Sequence, residues 1–258
     1  MYMNQIIDKC DMNQTMAGKL TGRIAVVTGA SRGIGKAIAL RLIASGANVC
    51  LVGRRLRSLW DLAQSTGWSA EQVSSYQADL TKDEDVRELT TALLRKWSGI
   101  DLLIHCAGTI HHGSFESAPI SNLDEQYRSN VRAPYLLTQM LLPVLKQSKG
   151  QIVFINSSIV LTPGAGAGQF SATQHALRAI ADSLREEVNA DGVRVLSVYP
   201  GRTATPRQEM LYRTEGREYK PELLLQPEDI ADAVLAAVSL PRTAEVTNLH
   251  IRPLLKSY

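Results

Sequence analysis

Cysteine is scarce in this chain: Cys10, Cys50 and Cys106 are scattered along 258 residues. An odd number with no CxxC pair suggests neither a disulfide framework nor a zinc site, and it suits a reducing compartment. No apolar run approaches the length of a membrane span. The first sixteen residues carry Asp8, Asp11 and several amides but no apolar h-region, so they do not read as a secretory leader. A surplus of one charge is lacking too. The 28 Lys and Arg against 25 Asp and Glu leave +3, too little to argue for nucleic acid or a membrane surface. There are no internal repeats and no low-complexity tract. These absences point to a cytoplasmic protein whose partner is a small molecule, with no metal, nucleic acid or membrane.

What is present is ordinary for a soluble globular protein, 45% apolar and 21% charged. The length fits one large α/β domain, and no composition break justifies two. Short β-branched runs alternate with longer amphipathic ones. Strands are expected at 23–28, 48–52, 73–78, 101–105, 151–156, 193–198 and 248–252. Helices are expected at 33–45, 57–66, 83–97, 130–147, 168–190 and 228–238. Such alternation implies a parallel sheet with helices on both faces, whose strands are nearly continuous apolar runs. Residues 1–20 read as an extension and 21–258 as the domain. The charged segment 202–226 lacks periodicity and reads as a long loop or lid. Its Arg207, Arg213, Arg217 and Lys220, mixed with Glu209, Glu215 and Glu218, suggest a solvated face, with one arginine an alternative holder of an anionic substrate. Met210, Leu211 and Tyr212 are candidates to cover a substrate. Trp60, Trp68 and Trp97 read as packing residues.

Chemistry enters at Gly29-Ala30-Ser31-Arg32-Gly33-Ile34-Gly35, between the first strand and its helix. Glycines there permit a tight turn and let backbone amides and the helix N-terminus approach a phosphate. The strand-before, helix-after context makes the triplet a strong signal. The second strand ends at Gly53-Arg54-Arg55. A site for NAD(H) would place a carboxylate there, whereas arginine suits a 2′-phosphate through charge-assisted bonds. Arg32 adds positive charge, and Arg55 reads as the more solvated of the pair. The expected cofactor is NADP(H).

The set Thr28-Gly29…Gly33-Ile34-Gly35, Ala78-Asp79-Leu80, Ala107-Gly108, Asn130, Ser157 and Pro200-Gly201 resembles the short-chain dehydrogenase/reductase family from about Leu20 to the end. The resemblance implies a single Rossmann-type, doubly wound domain with a seven-stranded parallel sheet. It implies that Asp79 bonds the adenine amino group, with Leu80 beside it, and that Ala107-Gly108 line the adenine–ribose floor. Asn130 would hold a water or a carbonyl relay, and Ser157 would polarise the substrate carbonyl, with Ser158 the lesser choice. Thr203 and Thr205 would meet the nicotinamide carboxamide. A homodimer or homotetramer is implied, paired through the long helices after the fourth and fifth strands.

Two positions depart from that pattern. The family's proton-donating tyrosine falls on Phe170, thirteen residues after Ser157, and its lysine falls on Gln174. A phenyl ring has no proton to give, and a neutral amide cannot lower a neighbour's pKa. Gln174 still offers hydrogen bonds to a ribose hydroxyl. His105-Cys106 also replaces an asparagine-rich turn. The expectation is an NADP(H)-dependent oxidoreductase on a carbonyl or alcohol, with impaired or rerouted proton transfer. The alternatives are a non-catalytic NADP(H)-binding sensor, an inactivated variant of an ordinary reductase, or a redox-neutral reaction in the same pocket. His111, His112 and water relayed through Ser157 or Ser158 are the substitute acids considered, and His175 is expected to point off the catalytic face.

Overall fold

The computed structural model describes residues 18–65, 67–69 and 71–255. The reading of an N-terminal extension falls mostly on 1–17, outside the described residues. The elements run β1 (Ile24–Thr28), α1 (Gly33–Ala44), β2 (Asn48–Gly53), α2 (Leu56–Ser65), β3 (Val73–Gln77), α3 (Asp83–Lys96) and β4 (Leu102–His105). They continue with α4 (Ile120–Tyr127), α5 (Ala133–Gln147), β5 (Gln151–Ile155), α6 (Gly168–Val188), β6 (Arg194–Pro200), α7 (Pro206–Thr214), α8 (Pro227–Val238) and β7 (Asn248–Ile251). The seven strands form one parallel sheet in the order β3-β2-β1-β4-β5-β6-β7. This is the doubly wound α/β architecture that the alternation implied.

Alternation of side chains across each strand divides the apolar residues between two cores. From β1, Ala25 and Val27 join Ile38, Leu42, Ile230 and Val234 of α1 and α8. Val26 points the other way, to Leu89, Leu141 and Leu177 of α3, α5 and α6. Each such buried leucine or isoleucine stabilises the fold by ~1.5–3 kcal/mol. Strand order reverses between β1 and β4, and the connections leaving those two strands diverge. A crevice opens there at the carboxyl ends.

Three expectations need correction. The helix expected at 130–147 is preceded by α4 and a π-helical turn, Arg128–Arg132, so the helical stretch starts at Ile120. Pro134 has no N–H to bond the carbonyl four residues back, and a wider turn ahead of it accommodates that gap. The segment 202–226 is not a bare loop. Thr205 caps α7 by accepting from Gln208 N, and Pro206 stands in its first turn, a start signal outweighed at the sequence level by the charged composition. A 3₁₀ turn follows at Pro221–Leu223. Trp60 is 58% exposed rather than packed, while Trp68 and Trp97 do pack against the two cores. No described helix is long and apolar enough to cross a membrane, and no described cluster of His, Cys, Asp and Glu suits a metal.

Candidate functional site

Thr28 closes β1 and holds the crevice together. Its hydroxyl donates to Ile104 O (3.2 Å) and accepts from Cys106 N and Ala107 N (3.0 and 3.2 Å), knitting β1 to the turn that leaves β4. The glycine turn then runs against that crest. A Cβ on Gly29, whose φ is +66°, would lie 2.8 Å from Ala107 N, and one on Gly35 would lie 2.4 Å from Gly29 O. Only glycine fits either place. The turn delivers the α1 N-terminus into a cleft of about 580 Å³.

Gly29, Ser31, Arg32, Gly33, Ile34, Gly35, Arg54, Asp79, Leu80, Ala107 and Gly108 all line this cleft, together with Asn130, Ser157, Phe170, Gln174, Pro200, Gly201, Thr203 and Thr205. These sequence-predicted positions therefore share one cleft. Arg54 and Arg55 stand at the end of β2 with no carboxylate where a ribose 2′-hydroxyl would seek one. Asp79 Oδ1 accepts from Thr81 N and Oγ1, which fixes the carboxylate at the rim. The glycine cradle, helix terminus and basic rim fit a nicotinamide dinucleotide.

At the other end, Asn156 ties the chemistry-bearing segments together. Its Oδ1 accepts from Ser157 N (2.7 Å) and its Nδ2 donates to Gln174 O (3.0 Å), so β5 fixes the spacing between Ser157 and α6. Sequence reading passed over this residue; its place next to Ser157 was the available signal. Ser157 Oγ accepts from Ile159 N (3.2 Å), leaving its proton free to donate. Ser158 opens a short 3₁₀ turn and does not line the cleft. Gln174 is 4% exposed and Phe170 is half-buried. Asn130 lies in the π turn; its Nδ2 donates to Thr109 O and Thr173 Oγ1, and its Oδ1 accepts from Thr109 N. Both amide hydrogens are thus used to anchor the β4–α4 loop to α6. Thr203 Oγ1 donates to Gly201 O, and Thr205 packs near Gly33 while capping α7.

The substitute acids fare unevenly. His111 pairs with Glu125 (3.0 Å), His112 approaches Glu215 (3.8 Å), and neither lines the cleft. His175 Nδ1 lies 2.8 Å from Ser171 O, off the catalytic face as expected. His105 stacks on Phe154 with centroids 4.9 Å apart and sits 2.8 Å from Thr138 Oγ1. Its burial pushes the imidazole pKa down to about 3, so it stays neutral. Burial pushes the Cys106 thiol up to about 12, so no thiolate forms beside it at neutral pH. Within the lid, Leu211 lines the cleft, Met210 is exposed, and Tyr212 is buried against Tyr219 with Arg202 and Arg217 over its ring. Arg207 is exposed, as a solvated face implies, and it also lines the cleft and donates to Gly108 O.

The geometry has counterparts. A profile described as short chain dehydrogenase matches residues 23–216. An uncharacterized oxidoreductase of Staphylococcus epidermidis is 34% identical over 236 residues, covering 91% of this chain and 99% of its own. Among solved structures, the alcohol dehydrogenase of the archaeon Thermococcus sibiricus, complexed with 5-hydroxy-NADP, is similar at a TM-score of 0.82 and 27% identity, over 92% of this chain and 98% of that one. The 3-ketoacyl-(acyl-carrier-protein) reductase of Brucella melitensis, complexed with NADH, gives 0.79 and 26%, over 90% and 97%. With the glycine cradle at the sheet's reversal point and the profile match across three quarters of the sequence, the chain belongs to the short-chain dehydrogenase/reductase family of oxidoreductases.

Proposed function

We propose that this protein is an NADP(H)-dependent oxidoreductase acting on a carbonyl or alcohol of a small molecule, with proton transfer slowed by Phe170 and Gln174. The observation that carries the reading is a glycine-cradled cleft, lined by Arg32 and Arg54, that contains Ser157 but neither a phenol at 170 nor an ammonium at 174. Arg54, with Arg32, holds the 2′-phosphate; Ser31, Gly33, Ile34 and Gly35 present backbone amides to the pyrophosphate. Asp79, Leu80, Ala107 and Gly108 bound the adenosine, and Gln174, Pro200, Gly201, Thr203 and Thr205 bound the nicotinamide riboside. A nicotinamide bound there would supply hydride chemistry. Ser157 donates its hydroxyl hydrogen to the substrate oxygen and polarises it, and water in the open cleft replenishes that proton. Phe170 supplies an apolar wall and no proton. Asn130 keeps the loop and α6 in register.

A positioned general acid is worth ~10²–10⁴-fold in rate, so turnover falls short of a tyrosine-bearing site by about that factor. The test compares NADPH binding and carbonyl-dependent NADPH oxidation by this chain and by F170Y/Q174K. Tight NADPH binding by both, slow turnover by the first and a large gain in the second are expected. Failure to bind NADPH would overturn the reading.

A second reading draws on the same two side chains: the protein binds NADP(H) without turning it over and serves as a sensor. NADPH binding with no oxidation of any carbonyl or alcohol, at any pH, would favour it. In either case the chain acts in the cytoplasm and pairs into a homodimer or homotetramer through α5 and α6, where Tyr135 is 52% exposed. Sedimentation velocity checks the assembly; a monomer at micromolar concentration contradicts it.

A further inference from the structure

The lid carries an arginine whose partners differ from those of its neighbours. Arg202 and Arg217 both pair with Glu215, Arg213 pairs with Glu209, and Lys220 pairs with Glu218. Arg207 has no carboxylate partner among the described residues. Its Nη2 donates instead to the backbone carbonyl of Gly108, on the far wall of the cleft. It stands two residues past Thr205, whose Cγ2 would lie 3.1 Å from a Cβ on Gly33. The first turn of α7 is therefore packed on the glycine turn, and its guanidinium spans the crevice above it. Arg32 and Arg54 line the same cleft, and Asp79 is the sole carboxylate among its lining residues. Arg207 keeps part of its side chain open to solvent, and an arginine stays charged at any physiological pH. A site with this surplus of cations calls for a polyanion.

Resting on the dinucleotide reading above, we propose that Arg207 is a ligand of the pyrophosphate, reaching it from the lid opposite the glycine turn and exchanging its bond to Gly108 O for phosphate oxygens. The fork of N–H donors suits such oxygens bidentately. Pyrophosphate, rather than the 2′-phosphate, is the assigned partner because Thr205 fixes the start of α7 on Gly33, the turn that faces the pyrophosphate in this fold, whereas Arg54 stands at the end of β2. The lid is thereby coupled to cofactor occupancy through one side chain.

The assignment separates the two arginines by coenzyme. R54Q should weaken NADPH and leave NADH nearly unchanged. R207Q should weaken both by a similar factor, about tenfold to a hundredfold, as expected for losing a charged hydrogen-bond donor. R207K, which keeps the charge without the fork, should recover part of the loss. Titration calorimetry or quenching of protein fluorescence by NADPH and NADH reads all of these without turnover. Unchanged affinity in R207Q overturns the assignment and leaves Arg207 as a strut to Gly108. A loss confined to NADPH overturns it in favour of the 2′-phosphate. Absence of NADPH and NADH binding by the unaltered chain removes the dinucleotide reading itself, and this assignment with it.

Discussion

At the residue scale, the proposed function makes Phe170 and Gln174 a pair to be tested together. A tyrosine placed alone at 170 keeps an ordinary phenol pKa near ~10 and stays protonated at neutral pH. It should raise kcat/KM for carbonyl reduction modestly. A lysine alone at 174 has no phenol to tune and should do little. Together they should exceed the product of the single effects, approaching the ~10²–10⁴-fold of a positioned acid. Steady-state NADPH oxidation by the two single variants and the double variant measures this. The cradle makes a second prediction. G35A brings a methyl to within 2.4 Å of Gly29 O, so the turn must move and NADPH affinity should fall by at least ~10-fold, about 1.4 kcal/mol. Titration of that variant checks it, and unchanged affinity would mean that the turn yields freely. Residues of this kind were legible because glycine spacing, and an arginine in place of a carboxylate, each arise from few physical causes. Arg207 was not legible: in sequence it is one more charge in a mixed run, and its difference lies in which partners the fold gives its neighbours. Asn156 was hidden for a similar reason, since an asparagine at a strand end declares nothing until both its bonds are seen.

At the scale of elements, the strands and their parallel order followed from apolar runs and alternation, and the sheet matches that expectation. The helices flanking the site were harder. The expected helix ran through Pro134 but was started at 130 rather than at Ile120, so α4 and most of the π turn were missed. The lid helix α7 is short, and its hydrophobic face is nearly lost among charges, so capping was its only signal. That cap is testable. T205V keeps the branched shape against Gly33 but cannot accept from Gln208 N. It should destabilise α7 locally by ~0.5–2 kcal/mol, read as faster amide exchange over 206–214 and weaker NADPH binding, with global unfolding almost unchanged. Equal protection in the two proteins would mean that the cap does not hold the lid.

For the whole molecule, His105 links the core to pH. Its folded pKa is about 3 against 6.5 for a free imidazole. Between these values the unfolded chain takes up a proton that the native one refuses. The contribution is therefore complete above pH 6.5 and is lost as pH falls, by roughly 1.4 kcal/mol per pH unit once well below that value. Urea unfolding of the unaltered chain and of H105N between pH 5 and 7 should show a shallower pH slope in the variant; parallel slopes would mean that this ring is not the titrating group. Domain number and sheet class were legible from length and pattern because a doubly wound fold repeats one simple unit. The buried histidine stack was not, since nothing local to His105 announces Phe154 some fifty positions later.

Neither Phe170 nor Gln174 belongs to the packed clusters on the two faces of the sheet. Gln174 is nevertheless only 4% exposed, so any side chain placed there must fit a nearly closed space. Phenylalanine and tyrosine codons differ by a single base, as do glutamine and lysine codons. On the proposed reading, two point mutations separate slow turnover from a tyrosine- and lysine-bearing site, one of them at a nearly closed position.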